Sequence, residues 1–526
     1  MSLTESPHRL AESLEERWRE AEIEFHRAYW DSQTEATPER ERRRAELELQ
    51  IRELKGDPDA LRAVTAALDD ELHEPMLRRQ LEVLRLSLIG NQMDEAKRRE
   101  LVELSSSVET DFASYRPEVD GARLSDNEIE DVLRTSDDPG LRERAWRASK
   151  EIGGVVSTRV RELARVRNEA AVALGFADYY RMSLELDEIS EEWLFERMDE
   201  LERLTDGPFQ RWKGSLDERL SLRFGTSDLR PWHYSDRFFQ MLPPDGSVSL
   251  DALFPATTAP ELAVKTFSSW DMDVSGVITN SDLFPRERKS QHAFCLDVDR
   301  KGDVRILANV VPGEHWVEVM LHESGHAAYD LGIDPHLPYL LRRPAHTFTT
   351  ESIAILCGRL VRNPQWLIGI AGIDQREVAA LEGDLLRATA AHSLIFARWG
   401  LVMTHFEREL YSDPEADLDD SWWELVERFQ LLSRPEDSPA GTWAAKVHVA
   451  AAPVYYHNYL LGEILASQLE TTAEKSCGGL IGKPEAGTLL TDRMFRPGNL
   501  MRWDALVEQA TGRPLSAEDF SKRVSI

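Results

Sequence analysis

Cysteine is scarce in this chain. Only Cys295, Cys357 and Cys477 occur among 526 residues, too widely separated for a zinc knuckle or a disulfide framework. A reducing, cytoplasmic setting is therefore expected. Lysine is scarce as well, 11 of 63 basic residues, an arginine bias that points to a GC-rich bacterial gene. The 94 acidic residues leave a net charge of −31. That argues against nucleic acid as a partner, because neutralising phosphates takes clustered Lys and Arg. No apolar run reaches the length of a membrane span. The start, "MSLTESPHRLAESLEERWRE", lacks the basic end and apolar stretch of a signal peptide. Neither a membrane partner nor secretion is expected. Repeats, low-complexity segments and an obvious linker are also missing, so residues 1–526 are read as a single catalytic domain.

What is present is mostly helical pattern. Apolar residues recur every three or four positions through residues 8–115, as in "ALRAVTAALDDELHEPMLRRQLEVLRLSL". The pattern continues over 119–205, with a turn at "SDDPG" and Ser190 as an N-cap. Around 226–315 the texture changes. "MLPPDGSVSL" and "LFPATTAP" read as loops. "VSGVITN", "HAFCLDV" and "DVRILANVV" read as short strands, the last two a hairpin across "DRKGD". Helices resume at 316. The expected fold is mainly α, with one small β-sheet inside a large helical body.

The segment "EHWVEVMLHESGHAAYDLG" carries His322-Glu323-Ser324-Gly325-His326. Its apolar residues recur at helical spacing, with Gly332 as the expected stop. Residues i and i+4 lie one above the other on a helix, so His322 and His326 can face one ion. Glu323, beside the first ligand, can reach a water on that ion and take its proton, which zinc makes acidic near neutral pH. Chance alone would place an HExxH in about 4% of chains with this histidine content, so its context matters. A catalytic zinc wants three protein ligands and an open position. Downstream, "HTFTTESIAILCGRLVRNPQWL" offers Glu351 at the start of an apolar helix capped by Thr350, with His346 as a rival ligand.

These residues resemble the angiotensin-converting enzyme family of zinc peptidases and, more distantly, the thimet oligopeptidase and oligoendopeptidase F group. Both carry HExxH with a downstream glutamate ligand on a second helix. The resemblance runs in blocks from about 160 to 470. It includes "VRNEAAVALGFADYYRMSL", "HAFCLDVDRKGDVRIL" and "ESIAILCGRLVRNPQWL". It implies a two-lobed helical body with a deep substrate channel, one Zn2+ held by His322, His326 and Glu351, and an edge strand near the active site. His292 and Ala293 on that strand would contact substrate. Residues 1–115 would form a lid-like helical region, and 316–470 the zinc site and substrate-binding helices.

A further block, "GTWAAKVHVAAAPVYYHNYLLGEILASQL", matches the family's order of a lysine, a histidine two residues on and a Tyr-x-x-Tyr pair. Lys446, His448, Tyr456 and Tyr459 fit it. His448 and Tyr459 would donate hydrogen bonds to the oxyanion that forms at the attacked carbonyl. Lys446 and Tyr456 would hold a peptide's C-terminal carboxylate. The pair lies one residue further from His448 than in angiotensin-converting enzyme, so Tyr455 competes with Tyr456. The spacing from His326 to Glu351 is one residue longer than in that enzyme and matches the oligopeptidase side. Ile355 stands where that enzyme has an aspartate supporting a zinc histidine, and the arginine that binds chloride there has no counterpart in "YYHNY".

The expected activity is zinc-dependent hydrolysis of peptide bonds in short peptides, releasing dipeptides from C-termini if Lys446 grips the free carboxylate. Internal cleavage of oligopeptides is the alternative. Hydrolysis of a specialised small amide and a non-catalytic binding role are the remaining readings. Oligomeric state is not legible in the sequence.

Overall fold

The computed structural model describes residues 6–69, 74–243, 248–254 and 258–525. Helices dominate, and the strands among the described residues form two small two-stranded sheets. Two compact units interleave along the chain. The first takes Met1–Gln92, Ser249–Glu382 and Leu461–Asp519; the second takes Met93–Val248, Gly383–Leu460 and Phe520–Ile526. Two of the changes of unit fall inside the helices Gln375–Ser412 and His457–Cys477. A helix is a poor linker signal, which is why no boundary stands out in the composition.

In the first unit, the helix Pro7–Thr34 starts at Ser6, whose hydroxyl accepts from the Arg9 amide, and buries Leu10, Leu14, Trp18 and Ala21 on one stripe. The helices Pro58–Asp69 and Pro75–Ile89 follow the expected apolar period, and residues 70–73 between them lie outside the described residues. In the second unit, Asp138 and Ser190 cap the long helices Pro139–Ala173 and Glu191–Phe224; Ser190 is the expected cap, and "SDDPG" marks the break before the first of them. Of the two expected loops, residues 244–247 and 255–257 are outside the described residues.

The hairpin across "DRKGD" is present. Phe294–Asp297 pairs antiparallel with Val304–Leu307, Phe294 opposite Leu307 and Asp297 opposite Val304. Arg300 and Gly302 take positive φ in the turn, where the Asp297 carboxylate accepts from the Arg300 amide at 2.7 Å.

Two readings are corrected. "VSGVITN" is not a strand: Ser275–Asn280 is a short helix. Val277, Ile278 and Thr279 favour extended backbone locally. Here Asp273 holds the Ser275 amide and hydroxyl, Thr279 bonds back to the Ser275 carbonyl, and Val277 is buried. Second, the sheet near the hairpin is not alone. Glu118–Val119 pairs with Ala122–Arg123 across Asp120-Gly121, both at positive φ. That Asp-Gly pair is a tight hairpin turn inside a region read as helical.

Candidate metal centre

The helix Glu314–Gly332 carries the HExxH residues. Gly313, at φ 130, turns the chain into it, and the Asp251 carboxylate accepts from the Glu314 amide at 2.9 Å. Val317, Met320, Leu321, Ser324, Ala327 and Ala328 are buried, while His322 and His326 remain half-buried. Gly325 is the point of closest approach to the next helix: a Cβ there would stand 2.9 Å from Ala354 Cα. Gly332 ends the helix but is not a left-handed cap, since Ile333 follows in extended backbone. Its missing Cβ makes room for the Phe495 side chain, 2.8 Å away from where it would be.

The helix Thr347–Gly358 brings Glu351. It starts four residues earlier than expected. His346, the rival ligand, is its cap: the ring accepts from the Phe348 amide at 3.2 Å and packs on Phe348 and Trp503. Thr350, expected as the cap, is inside the helix, and its hydroxyl meets His326 Nδ1 at 2.7 Å. That contact leaves Nε2 of His326 for a metal. It also supplies the support of a zinc histidine that the sequence could not name. A third helix closes in behind, where a Cβ on Gly462 would lie 3.3 Å from Glu351 Cβ.

The candidate ligand atoms of His322, His326 and Glu351 all lie within 4.8 Å of one another. His322 Nε2 is 3.8 Å from a Glu351 carboxylate oxygen, and the two imidazoles stand nearly perpendicular with centroids 5.0 Å apart. Burial lowers the pKa of His322 to about 4 and that of His326 further below its ordinary value. Both rings are thus neutral at physiological pH, the form that binds metal. Two neutral imidazoles and a carboxylate form the donor set of a catalytic zinc site.

Glu323 is buried, and its pKa is raised to about 8 by burial and by the charge of Glu351; a hydrogen bond from the Cys295 amide works the other way. The edge strand thus holds the carboxylate by its backbone. A divalent cation at the triad would favour the ionised form.

The remaining predicted residues fall elsewhere. His292 is exposed and Ala293 half-buried, just before the edge strand. Lys446, His448, Tyr456 and Tyr459 come together in the second unit. His448 opens the short helix His448–Ala451. Its ring lies 5.4 Å from Tyr456, which lies 5.5 Å from Tyr459. Lys446 Nζ donates to Gln240 at 2.9 Å and faces the rings of Phe238 and Trp399, and burial pulls its pKa down to about 8. The Tyr456 hydroxyl accepts from Trp399 Nε1 at 3.0 Å and its side chain is buried, whereas Tyr455 and Tyr459 are half-buried and pack on each other. Val454 takes φ 55 just before these tyrosines, with its amide donating to Glu407 at 2.7 Å.

Sequence reasoning missed the contact of Thr350 with His326, Gly325 and the Cys295 amide. A glycine inside a helix costs about 1 kcal/mol relative to alanine, which is a signal for Gly325. The other two left none.

A mainly helical chain that converges HExxH and a downstream glutamate is a metallopeptidase. Comparison with family models agrees. Peptidase family M3 matches residues 253–526, just over half of the chain and all of the metal triad, and the angiotensin-converting enzyme family matches residues 4–206. The chain belongs to peptidase family M3. Zinc is the metal typical of both families. No curated protein matches the chain. No helix among the described residues is long and apolar enough to cross a membrane.

Proposed function

We propose that the protein hydrolyses peptide bonds in short peptides, with one zinc ion held by His322, His326 and Glu351 and with Glu323 as general base. The observation that carries this is the convergence of the three ligand atoms beside a buried Glu323. Zinc at this triad would supply Lewis acidity toward the scissile carbonyl and make water acidic near neutral pH. Glu323 takes the proton of the attacking water and returns it to the leaving amine. The Cys295 amide fixes the direction of that carboxylate. His448 and Tyr459 are the proposed donors to the oxyanion. Residues His292 and Ala293, at the mouth of the edge strand, are proposed to pair with the peptide backbone.

Release of C-terminal dipeptides would need Lys446 and Tyr456 to hold a carboxylate. Lys446 is engaged with Gln240 and aromatic faces, and Tyr456 is buried against Trp399. These contacts favour internal cleavage of oligopeptides. A matched pair of peptides, free acid and C-terminal amide, distinguishes the two: equal cleavage supports internal action, and loss with the amide restores the dipeptidase reading. The three cysteines are unpaired, which supports a reducing cytoplasm as the compartment.

The assignment of the base is tested by Glu323→Gln. Hydrolysis of a quenched-peptide library should fall about 10²–10⁴-fold, the usual worth of a positioned base, while bound zinc measured by metal analysis stays at one ion per chain. Unchanged hydrolysis would remove Glu323 from the mechanism.

A further inference from the structure

One helical turn before the ligand His322, on the same face, stands Glu318. The two side chains lie next to each other along the glutamate helix: a Cβ on Gly358 would be 3.5 Å from Glu318 Cγ and 3.6 Å from His322 Cβ. Three carboxylates gather on this side, and two of them are matched. Arg362 Nε lies 2.5 Å from Glu314, and Arg359 pairs with Glu463. Glu318 is exposed, and no described residue hydrogen-bonds or ion-pairs with it. Yet protein crowds it enough that burial raises its pKa to about 7, against the pull of Arg362 and with a further push from Glu314 and Glu463.

The charges of the neighbourhood give this a direction. A divalent cation at the triad would be balanced by the carboxylates of Glu351 and Glu323 together. Glu318 then remains exposed, without an ion pair or hydrogen bond to a described residue, one turn from the ligand His322.

We propose that Glu318 is a specificity residue, whose carboxylate takes a cationic group of the peptide next to the scissile bond. The group is a Lys or Arg side chain or a free α-ammonium. This rests on the peptidase reading and adds the substrate class to it. Like charges at this position would be rejected and neutral peptides bound more weakly.

The test uses peptides in which one arginine is moved along the sequence, each with a citrulline twin, and each with a free or acetylated N-terminus. The wild-type zinc protein should cleave the best arginine peptide with kcat/KM about fivefold above its citrulline twin, the upper size of one exposed charge contact. Glu318→Gln should abolish that ratio, leave the citrulline peptides within about twofold and keep its zinc. Glu318→Lys should turn the preference towards a glutamate peptide. If acetylation rather than citrulline removes the advantage, the α-ammonium is the group recognised. An arginine preference that survives Glu318→Gln, or no preference in any arm, overturns the proposal. Binding of the same peptides to Glu323→Gln and to the Glu318→Gln/Glu323→Gln double variant, read by calorimetry, separates the two claims. If nothing is cleaved, the peptidase reading falls, and the binding difference still decides on Glu318.

Discussion

His326 has one ring nitrogen to offer a metal because Thr350 holds the other. A metal-binding imidazole that donates through Nδ1 is fixed in tautomer and in orientation. The acceptor here is a hydroxyl one residue before Glu351, so a single helical segment supplies both a candidate ligand and the support of another. Thr350→Val keeps the branched shape and deletes the acceptor. Zinc affinity, measured by competition with a chromophoric chelator, should weaken about 10–100-fold, and Thr350→Ser should recover most of the loss. Wild-type affinity in the valine variant would mean that packing alone orients the ring. The sequence showed Thr350 as a cap because a threonine before a glutamate and an apolar run has that pattern. Nothing local says that the helix has already begun at Thr347.

Between elements, the distance from the HExxH helix to the glutamate helix decides whether three ligands can share one ion. Gly325 sets that distance. Alanine normally stabilises a helix interior by about 1 kcal/mol over glycine, but the added methyl would lie 2.9 Å from Ala354 Cα and 3.2 Å from the Ala354 amide nitrogen. Backbone cannot give way as a side-chain tip can. Gly325→Ala should therefore lower the melting temperature and weaken zinc together, whereas a substitution at the open Gly369 should do neither. The hairpin and the two long capped helices were legible because turn residues and caps act locally. The helix Ser275–Asn280 was not, because burial of Val277 and the Asp273 cap outweighed β-branched propensity.

For the molecule as a whole, the N-terminal helices up to residue 92 belong with the unit that carries the HExxH helix, while Glu95–Ser114 belongs to the other. A buried charge cluster fastens them there. Glu22 pairs with Lys55 at 2.7 Å and Arg300 at 2.9 Å and accepts from the Tyr339 hydroxyl at 2.9 Å, joining two N-terminal helices to the hairpin turn and to the segment after the HExxH helix. Burial alone would raise the pKa of Glu22; Arg300 and Lys55 override it and hold it at about 2. A carboxyl lowered in the folded state stabilises above its unfolded pKa, and that stability is lost as pH falls from about 4.5 towards 2. Glu22→Gln should cost about 3–5 kcal/mol at neutral pH, the usual penalty for breaking a buried pair. In denaturant unfolding of the full chain across this range, the gap to wild type should narrow below about pH 4. A gap that is independent of pH would assign the loss to packing.

The sequence by itself determined the helical class and the hairpin, and it named the three candidate ligands and Glu323 that the fold brings together. Each of these follows from spacing along one element or from residue chemistry. Only the tertiary structure decided what stands behind the ligands: Thr350 on His326, the Cys295 amide on Glu323, the Gly325 contact that brings Glu351 within reach, and the open carboxylate of Glu318. Those depend on how close separate helices and a strand approach, and the approach is set by packing across the whole unit rather than by any one stretch of chain.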